Sequence, residues 1–444
     1  MLFRCCCLGV LLCGIRLTYG QSLQKENIFS PQAQHVHGSS VVELPNGDLL
    51  TVWFQGSGER QADDVAIMGA RLKKGKTQWS APFVMADVPD FPDINPVVFL
   101  DQQKQLWLVW YTVLAYQWET SLLKYRVSTN YLKDGPPEWK WQEVLPVRLG
   151  QNTNRGIQTS DSFVSSVRQK MQTQEAFFKQ SPSFRQSPKP DSLLQRWEAE
   201  QHERLDLAQG KTFMRSGIEI QPDGKEVKKS MGYPLFSRIG WQTRNKPLFM
   251  GNRMLLPLYS DGFDFSLIAI TDDGGQHWQF SEPLVGLANI QPSLVLTKDQ
   301  KIVAYMRDNG PPPYRLMLST SADKGLTWSD VVDSDIPNPG AGADLVALQN
   351  GHWVLADNDT ESGRHRLAIL LSEDEGKTWP YKQYLEWTEV ESSGLRAHYP
   401  AIIQLADGRI HVTYTFQAPQ NEGSLKTIRH ASFDETWIKT TKKP

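Results

Sequence analysis

The residues of this chain that could do chemistry recur at corresponding points of a repeated pattern. One set stands just before or at the start of apolar runs: His37, Asn95, Asn245 with Lys246, Gln291, Asp344, and His398 with Tyr399. A second set lies in the polar stretches that follow: Glu59, Arg60, Asp63 and Asp64, then Trp118 and Glu119, then Asp261 and Asp264. Arg307 with Asp308, and Asn358, Asp359 and Arg364, complete it. Arginine holds a carboxylate through two parallel hydrogen bonds. A carboxyl group can act as general acid, and an indole such as Trp118 can stack on a ring. Brought to one place, these arginines, carboxylates and a tyrosine suit an acidic sugar. A purely structural position would tend to repeat one residue type, and these positions do not.

The elements that must position them form a repeat. Three segments share the pattern Ser/Thr-x-Asp-x-Gly-x-x-Trp, at Thr271 to Trp278, Ser321 to Trp328 and Ser372 to Trp379, with starts 50 and 51 residues apart. In each, the Asp can accept backbone amides, the Gly supplies a positive φ, and the Trp anchors the turn in the core. Degenerate copies occur at Gly75 to Trp79, Asp134 to Trp139 and Ser432 to Trp437. Between them lie six apolar strand–turn–strand units, whose turns follow Leu44, Leu100, Met250, Leu296, Leu348 and Leu405. Six antiparallel units that cannot bury their faces alone predict an all-β fold, a six-bladed β-propeller of four-stranded antiparallel blades over residues 21–444. The chain runs out after the Ser432 box, so the segment around Glu26 to Phe29 is expected to supply the missing outer strand of blade six.

Strand direction then sorts the residues by face. The innermost strands start on one face, where the loops between second and third strands also lie. The Asp-box turns fall on the other, so Asp273, Asp323 and Asp374 are expected to be structural. The interval between the Leu100 and Met250 turns is 150 residues, against 46 to 57 elsewhere, which places a partly helical insertion at about 151–232 between blades two and three. Asp191 to Gln209 carries helical periodicity within it. As a blade-to-blade crossover, the insertion is expected to overhang the first face.

Met1 to Gly20 reads as a signal peptide, with Arg4 ahead of an apolar stretch and small residues near its end. All four cysteines lie inside it, so the exported chain is expected to have no disulfide and no thiolate metal site. A net charge of −2 gives no argument for nucleic acid or an anionic membrane surface. No later apolar run is long enough for a membrane helix. No HExxH motif or phosphate-binding glycine loop occurs, so neither a metal nor another cofactor is expected. A secreted or periplasmic monomer acting on an acidic glycan is the expectation. The one sequon, Asn358-Asp359-Thr360, falls in a loop of the first face.

With these repeats and motifs in place, the chain resembles the sialidase (neuraminidase) superfamily, in the branch of predicted neuraminidases with BNR-type Asp-box repeats. The resemblance covers nearly all of the exported chain except the insertion. It implies a glycosidase with a tyrosine nucleophile. In GERQADDVAI it implies Asp63 as acid/base, with Asp64 the alternative, beside Arg60. In AYMRDNG it makes Arg307 a carboxylate-binding arginine, and ahead of the Ser372 box it gives Arg364 the same role, with Arg366 the fallback. HYPAIIQLADG opens with the nucleophile, Tyr399. The chain departs from the family at two places. His37-Gly38-Ser39-Ser40 stands where a Phe-Arg-Ile-Pro motif carries the first arginine, and Gln291 stands where a glutamate activates the tyrosine. His37, Asn95, Lys246 and Gln291 then join the expected substrate-binding set. A uronic-acid-directed lyase on the same face is one alternative, and a non-catalytic glycan-binding propeller is another.

Overall fold

The computed structural model of the chain describes residues 23–149, 157, 160–208, 216–220, 223–230, 238–418 and 424–440. The expected signal peptide lies outside the described residues. Six antiparallel sheets follow one another around a ring. Blade one is built from His35–Glu43, Leu49–Gly56, Ala66–Leu72 and Phe83–Ala86, and blade two from Asp93–Leu100, Leu106–Val113, Ser121–Ser128 and Trp141–Val144. The second strands are apolar almost throughout. All eight residues of Leu106–Val113 are buried, because neighbouring blades cover both faces of each sheet and leave no solvent side to favour alternation.

Blade three departs from the regular pattern. Its innermost strand is split into Gln242–Thr243 and Leu248–Met250, both paired with Arg253–Ser260. Lys246-Pro247 separates the two pieces, and proline has no amide hydrogen to give the ladder. Blades four and five are regular, starting at Asn289–Leu296 and Asp344–Ala347. Blade six contributes Arg396–Gln404, Ile410–Ala418 and Leu425–Phe433. Its outermost strand comes from the other end of the chain: Gln24–Asn27 pairs with Leu425–Phe433, Gln24 opposite Ser432 and Asn27 opposite Arg429. After Phe433 the chain turns into the short helix Glu435–Lys439, whose first turn is capped by Asp434, so the last degenerate box leads to no outer strand.

The three full Asp-boxes are built alike. The first residue's hydroxyl donates to the aspartate (Thr271 to Asp273, Ser321 to Asp323 and Ser372 to Asp374, each 2.8 Å) and accepts the amide of the box glycine. The carboxylate then accepts the amide four residues on, from His277, Thr327 and Thr378. These bonds hold Asp273 and Asp374 at about 2, below the ordinary aspartate value.

The insertion lies between blades two and three and contains α1 (Ser162–Gln180), α2 (Pro182–Arg185) and α3 (Pro190–Ala208), followed by the hairpin Ser216–Ile220 with Glu226–Ser230. Periodicity had indicated α3 alone. Of its described helices, α1 runs along the outer flank of blades three and four and not over the mouth. Phe163 packs on Phe263 and Phe265, Lys170 donates to the Trp328 carbonyl, and Gln174 to that of Val331. The apolar stripe Phe163, Val164, Val167 and Met171 is buried there, and its burial against the flank fixes the placement.

Candidate active site

The mouth of the channel is shaped by a backbone irregularity that four blades share. The innermost strands of blades one, two, four and six each carry a bulge, between His37 and Ser40, Ile94 and Val97, Ile290 and Ser293, and His398 and Ala401. At each bulge one residue takes a left-handed conformation: Gly38 (φ 64°), Asn95 (46°), Gln291 (56°) and Tyr399 (55°). Asparagine, glutamine and tyrosine are strained there, and such bulges re-aim a side chain. Asn95, Gln291 and Tyr399 each precede a proline, which donates nothing to the disrupted ladder. The three side chains all reach one cavity of about 480 Å³.

Tyr399 is the hub of that cavity. Its hydroxyl accepts Arg307 Nη1 at 2.8 Å and Gln291 Nε2 at 3.2 Å. Gln291 also donates to the Tyr259 hydroxyl at 3.3 Å, and Asn95 Nδ2 bridges the hydroxyls of Tyr111 and Tyr259 at 3.0 and 3.3 Å. The guanidiniums of Arg364 and Arg244 lie 5.4 and 5.1 Å from the centre of the Tyr399 ring. Arg244 is buried beneath it and donates to the carbonyls of Ser39 and Pro400. The His37 ring centre is 4.2 Å from that of Tyr399, and its Nδ1 sits 2.9 Å from Thr415 Oγ1. Burial, and after it the charges of His398, His35, Arg364 and Arg244, push His37 well below the ordinary histidine value, so its imidazole is neutral.

Two carboxyl groups line the cavity, Glu59 and Asp261. Burial raises both. Nearby Arg60, Lys426, Arg364 and Arg307 oppose the shift at Glu59, while Asp261 is pushed up to about 6.

Of the ten residues expected to act on or bind substrate, seven therefore meet at one cavity, His37, Arg60, Asn95, Gln291, Arg307, Arg364 and Tyr399, and Glu59, Trp118, Asp261 and His398 of the wider sets join them. Three of the ten do not line it. Asp63 is exposed at the outer edge, where it accepts the Tyr116 hydroxyl at 2.9 Å. Asp64 caps its own loop, taking the Ser57 amide and hydroxyl at 3.0 and 2.8 Å. Lys246 is tied to Asp344 at 2.7 Å and to the Leu345 carbonyl, holding blade three to blade five below the mouth. The fallback Arg366 is also elsewhere, donating to the carbonyls of Thr388 and Glu389. Asn358 of the sequon is buried, with its amide on the carbonyls of Arg366 and Ala397, so it offers no nitrogen for a glycan.

Sequence reasoning passed over Tyr111, Tyr259, Arg244, Arg396 and Lys426. The two tyrosines lie at the mouth ends of second strands that read only as apolar runs. Arg244 is one residue before Asn245, in the segment where blade three's innermost strand is interrupted.

The chain belongs to the BNR repeat-like domain family, whose model matches residues 47–177 and 233–412. It is 25% identical over 178 residues to a sialidase of Micromonospora viridifaciens, covering 38% of this chain and 25% of that protein. It is 27% identical over 177 residues to an anhydrosialidase of Macrobdella decora, covering 36% of this chain and 23% of that protein. The matched stretches thus span about a quarter of the length of these curated relatives. Among solved structures, the NanB sialidase of Streptococcus pneumoniae superposes with a TM-score of 0.56 at 14% identity, covering 93% of this chain and 71% of that one. An α-L-arabinofuranosidase of Fusarium graminearum superposes at 0.54 and 10% identity, covering 94% and 99%. At such identities the likeness is one of fold, the six-bladed propeller expected from the repeats.

Proposed function

We propose that this chain is a glycoside hydrolase of sialidase type, exported from the cell, which removes a terminal carboxylated sugar from a glycan. The observation that carries the reading is the convergence of Arg307 and Arg364 on Tyr399 at the cavity centre. The names of the relatives point the same way, since both are enzymes of sialic acid.

In this reading Arg307 and Arg364 hold the sugar carboxylate, as paired guanidiniums do. The Tyr399 oxygen attacks the anomeric carbon. A neutral nucleophile suits a carbon that already bears a carboxylate, and sialidases are a recognised exception to the two-carboxylate scheme for that reason. Gln291 donates to the Tyr399 hydroxyl and cannot take its proton. Arg307 Nη1, 2.8 Å from that oxygen, stabilises the phenolate, and the proton passes to solvent in the cavity. Glu59 delivers its proton to the leaving oxygen: it lines the cavity and burial raises its pKa, which the task requires. Asp63, assigned to that role by resemblance, stands outside the cavity on Tyr116. Water then attacks the tyrosyl sugar and gives a proton to Glu59, while Tyr399 leaves and recovers its proton from solvent in the cavity.

Hydrolysis of a fluorogenic sialoside tests the scheme. Wild type should turn over. Tyr399→Phe should lose about 10³-fold or more, as removal of a nucleophile does, and Glu59→Gln should lose more than Asp63→Asn. Normal turnover by Tyr399→Phe would overturn the scheme. The amide on Tyr399 and the adjacent imidazole also fit a lyase in which the phenol removes a proton α to a carboxylate. An inert wild type on sialosides that releases an absorbing unsaturated product from a polyuronate would select that reading. Affinity for acidic glycans without any turnover would select a binding propeller.

A further inference from the structure

The cavity holds more positive charge than one carboxylate requires. Arg60, Arg307, Arg364, Arg396 and Lys426 line it against two carboxyl groups, Glu59 and Asp261. Among the described residues none of these five cations forms an ion pair with a carboxylate, although ion pairs are common elsewhere on the molecule. Arg60 is placed by its own loop: its guanidinium stacks 4.9 Å from the Trp118 ring, and its Nε donates to the Tyr116 carbonyl. Arg307 and Arg364 belong to Tyr399.

That leaves Arg396 and Lys426, on the side of the cavity where blades six and one meet. Arg396 begins the innermost strand of blade six and Lys426 lies on its third strand. The Lys426 ammonium has His35 Nδ1 as its partner at 3.0 Å. Burial holds His35 down at about 4, so that partner is a neutral imidazole and brings no countercharge. His398, with its Nδ1 3.4 Å from Arg364 Nη1, is likewise kept far below its ordinary value by burial and by Arg364, Lys426 and Arg396. Burial depresses Lys426; Glu59 opposes it, and Arg396 adds a smaller push in the same direction as burial. Like charges gathered at the rim of a cavity, one half-buried and one exposed and neither paired with a carboxylate, attract an anion.

We propose that Arg396 and Lys426 form a second anionic subsite, so that the preferred substrate is a glycan end carrying two negative groups. One would be the carboxylate held by Arg307 and Arg364. The other would be the carboxylate of the adjoining acidic sugar or a sulfate ester near the scissile bond. This inference rests on the reading of Tyr399 and its arginines given above.

Calorimetric titration with sulfur-linked, hydrolysis-resistant glycosides tests it without turnover. The probes are a monosialyl lactoside, its disialyl counterpart and a sulfated monosialyl lactoside. Either dianionic probe, or both, should bind wild type about tenfold tighter than the monoanionic one, as expected for one charge-assisted contact. Which of them does so identifies the second group. In Arg396→Gln/Lys426→Gln, at one exposed and one half-buried position, that advantage should vanish while the monosialyl affinity stays within about twofold. Equal binding of all three probes by wild type would overturn the second subsite and leave the reading of Tyr399 standing. An advantage that survives in the double variant would place the second anion elsewhere and overturn the assignment. Absence of binding by every probe would overturn the sialoside reading and this inference with it.

Discussion

The two faces of the propeller solve opposite problems with the same strands. On the Asp-box face, three turns repeat one hydrogen-bond scheme, and their aspartates are ionised and fully used. On the mouth face the blades present histidine, asparagine, glutamine, tyrosine and arginine in no common scheme. At its bulges three non-glycine residues adopt left-handed backbone, and carboxyl groups at the cavity are pushed up by burial. Buried polar atoms of Asn95, Arg244, Asn245, Gln291 and Arg307 lack a protein partner. Buried groups are normally satisfied, so the Asp-box turns store stability, while at the mouth strain and unmet polarity gather on and beneath the residues that line the cavity.

The sharpest way to break this contrast is to remove an anchor from the stable face. Trp328 is 5% exposed, with its indole nitrogen donating to the Gly325 carbonyl at 3.1 Å. Trp328→Ala should cost about 3–5 kcal/mol in urea unfolding, the range for large core aromatics. Turnover per folded molecule should stay within about twofold, because the box lies on the face away from Tyr399. Arg307→Ala should do the reverse. Turnover should fall about 10²–10³-fold, as when one preorganised donor is lost, with an unfolding midpoint unchanged or raised. If both variants lost stability and activity together, the division of labour would be wrong.

A smaller effect sharpens the contrast through pH. Asp261 is raised from 3.8 to about 6 in the fold, so the native state holds the extra proton in that window. The stability it confers is complete below 3.8 and lost as the pH rises through 6. Asp374 is lowered from 3.8 to about 2, so its contribution is present above 3.8 and lost as the pH falls through 2. Asp261→Asn should therefore raise the melting temperature at pH 7.5, with the gain gone by pH 4. Asp374→Ala should lower it at pH 7.5. Shifts of the same sign would contradict the opposed roles of the two carboxylates.

The stable face was almost wholly legible in the sequence, because a turn that repeats its chemistry repeats its letters. Spacing of boxes and strand pairs gave six blades, the insertion and the strand that closes the ring. At the mouth the starts of the innermost strands led to His37, Asn95, Gln291 and Tyr399. Loop residues were less legible. Whether Glu59 or Asp63 faces the cavity depends on a loop conformation set by Ser57 and Tyr116, which no local pattern encodes. Lys246 was read as a binding residue because the break at Pro247 hides that the chain there turns toward Asp344. The course of α1 over blades three and four follows from an apolar stripe whose partner surface exists only once those blades are formed.

The pairing of Gln24–Asn27 with Leu425–Phe433 has a consequence for synthesis. A polypeptide made and threaded in one direction carries its first strand unpaired until nearly the whole chain has emerged. The last blade is thus completed by the oldest segment. A loop closure of that length sits late on the folding route, and the waiting strand edge is open to a neighbouring copy. Cutting a few residues from the start of the ring should therefore loosen its final blade and expose the side of the cavity formed by Arg396 and Lys426, where the two ends of the chain are latched together.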